Sequence, residues 1–235
     1  MKHFVGYTSN EEFSVGCTGQ TVYLYDKDNN ELRKFKDIIY AYAPIISPNG
    51  KLFVVKSTVG RLAVYSLETF SLIKKFRFSK IAWAQDDGFC FSPDGKLFFN
   101  IERQKNDRRS AISIYDTNDF SLVRQVLINE DMSLNHIEFD PDTNTYYVLG
   151  FLRDADRIYD YGFVAKFEDD RVKNIIAITD KEYDVYDCYK LLQIRGFTQE
   201  TYKHLELHDC EIDKLQIMNH TLAKLHAHYR KISAE

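Results

Sequence analysis

SPNGKLFVVKSTVGRLAVYSLETFSLIKKF, residues 47–76, and SPDGKLFFNIERQKNDRRSAISIYDTNDFSLVRQV, residues 92–126, are two versions of one pattern. They match at Ser-Pro-(Asn/Asp)-Gly-Lys-Leu-Phe and again at Tyr-x-x-x-(Thr/Asp)-Phe-Ser-Leu, and differ mainly by an insertion between the middle strands. A third version starts at FDPDTNTYYVLG, where Pro141 stands as Pro48 and Pro93 do, and ends near GFVAKFEDDRVKNI. A fourth precedes the others: SNEEFSVGCTGQTVYLYDKDNNELRKF places Phe13 forty residues before Phe53 and Tyr25 forty before Tyr65.

Within each copy, apolar and polar residues alternate in short runs broken by Pro-Asn-Gly, Pro-Asp-Gly, Lys-Asp-Asn-Asn and Asp-Thr-Asn-Asp. Period-two alternation with such turns is the signature of antiparallel strands joined by hairpins, about four per copy. One four-stranded sheet cannot cover both its faces, but neighbours packed around an axis can. A repeat of this period therefore predicts an all-β fold, a small β-propeller of four-stranded antiparallel blades.

SPNGKLF and SPDGKLF, each followed by a strand ending in Tyr-Ser or Tyr-Asp and a polar turn, resemble WD-repeat and YVTN-type propeller blades over about residues 4–178. The Gly-His and Trp-Asp pair of WD repeats is missing, and Tyr25-Asp26 and Tyr115-Asp116 echo it only in part. The resemblance implies the fold and no particular partner.

Residues 1–178 hold four blade repeats, and residues 179–235 admit two readings. In the favoured one, YKLLQIRG and TYKHLELHD are strands of a degenerate fifth blade that is followed by a short C-terminal element. In the other, Ile212, Leu215, Met218, Leu222, Leu225, Tyr229 and Ile232 recur at steps of three or four, an amphipathic helical tail behind four blades.

Composition narrows function by exclusion. Thirty-five acids against 31 bases leave a net charge of −4, so no global field recruits nucleic acid or an anionic membrane surface. The first residues lack a signal-peptide pattern and no apolar run is long enough to span a bilayer, which makes a soluble, cytoplasmic protein the expectation. The four cysteines are scattered without a CxxC pair, and Cys17 and Cys90 sit in apolar runs. His204, His208 and Cys210 have helical ligand spacing, but TYKHLELHD alternates like a strand. His226 and His228 read as solvated. Asp26 to Asn30 and Asp140 to Asn144 imitate a calcium loop without its glycine and glutamate, and read as turns. Neither a cofactor motif nor a metal centre is expected: GxSxG, Walker and GxGxxG patterns are missing.

Two function classes remain. The lead is a non-catalytic interaction module that binds another protein. In a four-stranded meander the loop between strands two and three emerges at the same end as the link to the next blade. That end collects Tyr40, Tyr42, Trp83, Arg103, Arg109 and Arg153, the residue types enriched at binding hot spots. Packing between blades is the competing reading for the aromatics, and a solvated loop for the arginines. The rival class is a carbohydrate-binding or glycoside-cleaving propeller, for which Asp86 and Asp87, Asp154 and Asp156, or Asp169 and Asp170 offer paired carboxylates.

Overall fold

The structure is a computed structural model that describes residues 2–78, 88–104, 109–154, 156, 159–180, 183–184, 186–187, 190, 196, 198 and 221–232. Its strands form four antiparallel four-stranded meanders, each a propeller blade, in chain order. Blade 1 comprises β1 (Gly6–Ser9), β2 (Phe13–Cys17), β3 (Val22–Asp26) and β4 (Glu31–Phe35). Blade 2 comprises β5 (Ala41–Ile46), β6 (Leu52–Ser57), β7 (Arg61–Ser66) and β8 (Ser71–Arg77). Blade 3 comprises β9 (Phe89–Phe91), β10 (Leu97–Arg103), β11 (Ser110–Asp116) and β12 (Leu122–Leu127). Blade 4 comprises β13 (Met132–Asp140), β14 (Thr145–Arg153), β15 (Tyr159–Glu168) and β16 (Arg171–Ile178), and a helix, α1 (Leu222–Ile232), follows.

The Ser-Pro-x-Gly motif makes the same turn in blades 2 and 3. Ser47 Oγ donates to Asn49 Oδ1 at 2.7 Å and accepts the Leu52 N–H at 3.1 Å. Ser92 Oγ donates to Asp94 Oδ1 at 2.7 Å and accepts the Leu97 N–H at 2.9 Å. Gly50 and Gly95 then take φ of 66° and 68°, a conformation in which a Cβ clashes with its own backbone. The calcium-like Asp26 segment is also a turn. The Asp26 carboxylate accepts the Asn30 side-chain amide and the backbone N–H groups of Asn30 and Asp28, which hold its pKa below the usual carboxylate range. The insertion in the second copy lies in the link between β10 and β11.

Register refines the repeat. Tyr65 faces Phe53 and Tyr115 faces Phe98, but Tyr25 faces Ser14, so Phe13 is the counterpart of Leu52 rather than of Phe53. Bulges recur as well. One residue of the outer strand is left over in each of the first three blades: Leu32, Ile73 and Val123. The inner strands of blades 2 and 4 bulge at Tyr42 and Asn135.

The chain divides into two compact units, Met1–Gln85 with Leu191–Asp209, and Asp86–Lys190 with Cys210–Glu235. In the first, Val15, Leu24, Phe35, Phe53, Val55 and Tyr65 pack blade 1 against blade 2. Gly6 is required there, because a Cβ would lie 1.8 Å from the Tyr42 carbonyl oxygen. In the second, Phe99, Ile101, Ile112, Leu134, Val148 and Phe163 pack blade 3 against blade 4. The same joint recurs: a Cβ on Gly88 would lie 2.8 Å from the His136 Cα, and the Gly88 N–H donates to the Asn135 carbonyl.

The far face of blade 4, with Tyr147, Leu149 and Val164, is covered by Leu222, Ala223 and Leu225 of α1 and by Tyr183. The helical stripe is therefore present from Leu222 onward, and its earlier members lie outside the described residues. The strands of a fifth blade also lie outside them, apart from Lys190, which is helical, and Gly196. Residues 180, 183–184 and 186–187 are helical too, so the described residues hold four blades.

Candidate functional site

The richest polar cluster is at the start of β13, in the second unit. A bulge points two consecutive residues to one side of a sheet, and at Asn135 it does so for Asn135 and His136. Both meet one oxygen of Asp187: His136 Nε2 lies 2.8 Å from Oδ1, and Asn135 Nδ2 donates to it at 3.0 Å. Asn135 Nδ2 also donates to the Tyr183 hydroxyl at 2.9 Å. Burial works against the Asp187 charge, but the His136 contact, Asn135 and the nearby Arg103 outweigh it and keep the carboxyl below its ordinary range. Burial pushes the Tyr183 phenol up. Two residues further along β13, Glu138 pairs with Lys190 and accepts the Leu222 N–H at the start of α1. Tyr183, Asp187 and Lys190 are spaced four and three residues apart, one helical face laid along β13.

Beside this cluster, two guanidinium groups from different sheets converge on a buried hydroxyl. Arg103 Nη1, at the end of β10, donates to Ser133 Oγ at 2.9 Å, and Arg153 Nη2, at the end of β14, donates to it at 3.3 Å. Arg109 pairs with Glu130 at 3.6 Å, joining the link between β10 and β11 to the link between blades 3 and 4. The Arg153 N–H donates to the Asp131 carbonyl, and its guanidinium lies 5.7 Å from the Phe151 ring centre. Three arginines thus share one end of the second blade pair, as the meander topology requires. With Arg103 and Arg153 held by Ser133 and Arg109 by its ion pair with Glu130, and all three half-buried, they form a pre-ordered set of donors suited to carboxylate oxygens.

The nominated aromatics are placed differently. Tyr40, in the first unit, is 53% exposed at φ 54°. Tyr42, the bulge residue of β5, is buried at 4% exposure and is not a surface aromatic. Trp83 lies outside the described residues, as do Lys105, Arg108 and Arg157. Asp169 and Asp170 occupy the turn between β15 and β16, at the opposite end of blade 4 from Arg153. Each is tied to a cation, Asp169 to Lys173 and Asp170 to Arg124 at 2.9 Å. Asp86 and Asp87 lie outside the described residues, and Asp156 N–H donates to the Asp154 side chain in an exposed turn.

His226 corrects an expectation. It is buried at 3% exposure with Nε2 2.8 Å from the Asn174 carbonyl, because the segment is a helix and residue 226 falls on the Leu222 side, while His228 is exposed. Burial holds the His226 pKa below its usual value. His204, His208 and Cys210 lie outside the described residues, among which no group of three or more metal-ligating side chains forms. Cys17 and Cys90 are free thiols pushed up in pKa by burial. Ser133, Asn135, His136 and Asp187 were not foreseen: the one signal was the adjacent polar pair Asn135-His136, which shifts the strand alternation, and the acid comes from 51 residues downstream of His136.

No protein-family model and no curated protein matches the chain. Solved structures do. Hydrazine synthase from Kuenenia stuttgartiensis superposes with a TM-score of 0.55 at 14% identity, over 72% of this chain and 51% of that one. The WD40 domain of Toxoplasma gondii coronin gives 0.56 at 16% identity, over 77% of this chain and 46% of that one. The dihydro-heme d1 dehydrogenase NirN in complex with DHE gives 0.55 at 18% identity, over 72% and 35%. The chain thus spans between a third and about half of the length of these structures. With four four-stranded meanders in chain order among the described residues, the chain has a β-propeller fold. Among the described residues, no helix is long and apolar enough to cross a membrane.

Proposed function

We propose that the chain is a non-catalytic binding module, and that the arginine-bearing end of blades 3 and 4 docks another protein through carboxylates on that partner. One observation carries the reading: Arg103 and Arg153, from separate sheets, meet on Ser133 Oγ, with Arg109 at the same end. A guanidinium already held in place loses less freedom when it binds, so its hydrogen bonds to an incoming carboxylate return more net affinity. Tyr40 adds an exposed aromatic in the first unit. A soluble, cytoplasmic setting fits the module, and nothing in its chemistry calls for a cofactor.

The test is affinity purification with the tagged full chain beside an Arg103→Ala/Arg109→Ala/Arg153→Ala variant of unchanged circular dichroism. A stoichiometric partner that is retained by the parent, released by salt and lost from the variant is the expected result. A partner held equally by both, or none at all, overturns the reading. A glycan array and a panel of chromogenic glycosides should both stay silent. A hit there would favour the carbohydrate class instead.

A further inference from the structure

We propose that β12, the outer strand of blade 3, pairs antiparallel with β12 of a second copy of this chain. An outer strand presents unpaired N–H and C=O groups, and sheets guard such edges with charge, above all lysine. Three of the four outer strands here are guarded. The edge of β4 carries Glu31, Arg33 and Lys34, that of β8 carries Lys74, Lys75 and Arg77, and that of β16 carries Arg171 and Lys173 beside Asn174 at φ 52°.

The β12 strand, LVRQVL, has a single charge, and Asp170 of blade 4 already neutralises it: Arg124 Nε lies 2.9 Å from Oδ2. Its apolar side chains stand in solvent, Leu122 at 53%, Val123 at 49% and Leu127 at 54% exposure. A groove of about 430 Å³ opens beside its last residue, between Leu127 to Met132 and Asp170 to Val172, with room for chain that enters or leaves a paired strand.

The charge pattern selects the occupant. A second β8 brought to its own kind sets cation against cation, whereas a second β12 brings no net charge and an equal run of apolar side chains. Side chains directly opposite in an antiparallel pair share a face, so a twofold pairing aligns residues whose numbers sum to an even value. Centring on Arg124 would set like charges opposite each other. Centring on Gln125 sets amide against amide and Arg124 across from Val126, with the bulge residue Val123 and Leu127 at the ends of the pairing. One six-residue strand pair buries less than the roughly 1,200–2,000 Å² of a stable interface, so the dimer is reversible and concentration-dependent.

Analytical ultracentrifugation of the full chain over a wide concentration range reads this directly. The parent should pass from monomer to dimer. A Val123→Lys/Leu127→Lys variant with unchanged circular dichroism should need at least ten times the concentration. Should that variant misfold, Gln125→Cys decides: under mild oxidation it should give a disulfide-linked dimer, whereas Lys74→Cys on β8 should not. A chain that stays monomeric throughout, a dimer indifferent to both lysines, or equal cross-linking at the two cysteines overturns the proposal. None of these results bears on the arginine surface, which is probed separately.

Discussion

Replacing Asp187 by alanine tests whether the bulge cluster holds the segment after blade 4 in place. The substitution removes one oxygen that serves both His136 Nε2 at 2.8 Å and Asn135 Nδ2 at 3.0 Å. Those side chains are 2% and 6% exposed, whereas the Asp187 side chain is 30% exposed, so water reaches its vacated place and replaces the lost acceptor in part. A buried donor left wholly unpaired costs about 1–3 kcal/mol, and with water replacing the acceptor in part the expected loss for the two is about 1–3 kcal/mol. That is a large part of the roughly 5–15 kcal/mol by which a domain is stable. Asp187→Asn keeps a carbonyl acceptor but not the charge, and should lose only about 1 kcal/mol. Guanidinium denaturation at several pH values measures both.

The pH dependence has a definite sign. The folded Asp187 carboxyl has a lowered pKa, so its contribution is present above the unfolded value of about 3.9 and is lost as pH falls through the folded value. The gap between the parent and Asp187→Ala should close below about pH 4. A gap under about 1 kcal/mol at neutral pH, or one that persists undiminished below about pH 3, would refute the reasoning.

Other outcomes follow from the same geometry. Ser47→Ala and Ser92→Ala should each cost about 1 kcal/mol in chemical denaturation, and clearly unequal losses would contradict the equivalence of the two turns. Gly6→Ala sets a Cβ 1.8 Å from a backbone oxygen and should lower stability by at least about 1–3 kcal/mol, read from the same curves. Leu225→Ala opens the contact between α1 and blade 4 and should cost about 2–5 kcal/mol. His226 has a pKa lowered by burial, so the unfolded chain takes up its proton first and stability falls as pH drops through the unfolded value of about 6.5. Between about pH 7 and 5 the parent should therefore lose more stability than His226→Gln, as thermal melts at the two pH values report.

Legibility followed the range of the interactions. Ser47, Pro48, Asn49 and Gly50 make a turn whose hydrogen bonds span five residues or fewer, and such a turn is written in adjacent letters. The hairpin turns and the insertion after Arg103 were readable for the same reason. The bulge of β13 leaves a trace, since the adjacent polar pair Asn135-His136 shifts the alternation of MSLNHIEFD, whereas AYAPII carries no such shift, and Tyr42 counted as a surface aromatic although it is buried. The arginines were nominated by topology, but their meeting on Ser133 depends on register between separate sheets. His226 was misread because strand and helix periods place it on different faces, and the contacts between α1 and blade 4 span dozens of residues.

The two glycine joints bear on how such a chain can be duplicated or rebuilt. Gly6 has no side chain because of a carbonyl on the next blade's first strand, and Gly88 sits against the following bulge in the same way. Blades 1 and 3 thus carry the imprint of the blade that follows them. Copying one blade of some forty residues would part the glycine from the bulge it accommodates, and set a bare position against a partner that does not need it. Copying a blade together with its successor keeps donor and recipient in register. For this architecture the transferable cassette is a pair of blades, cut on the far sides of the joint.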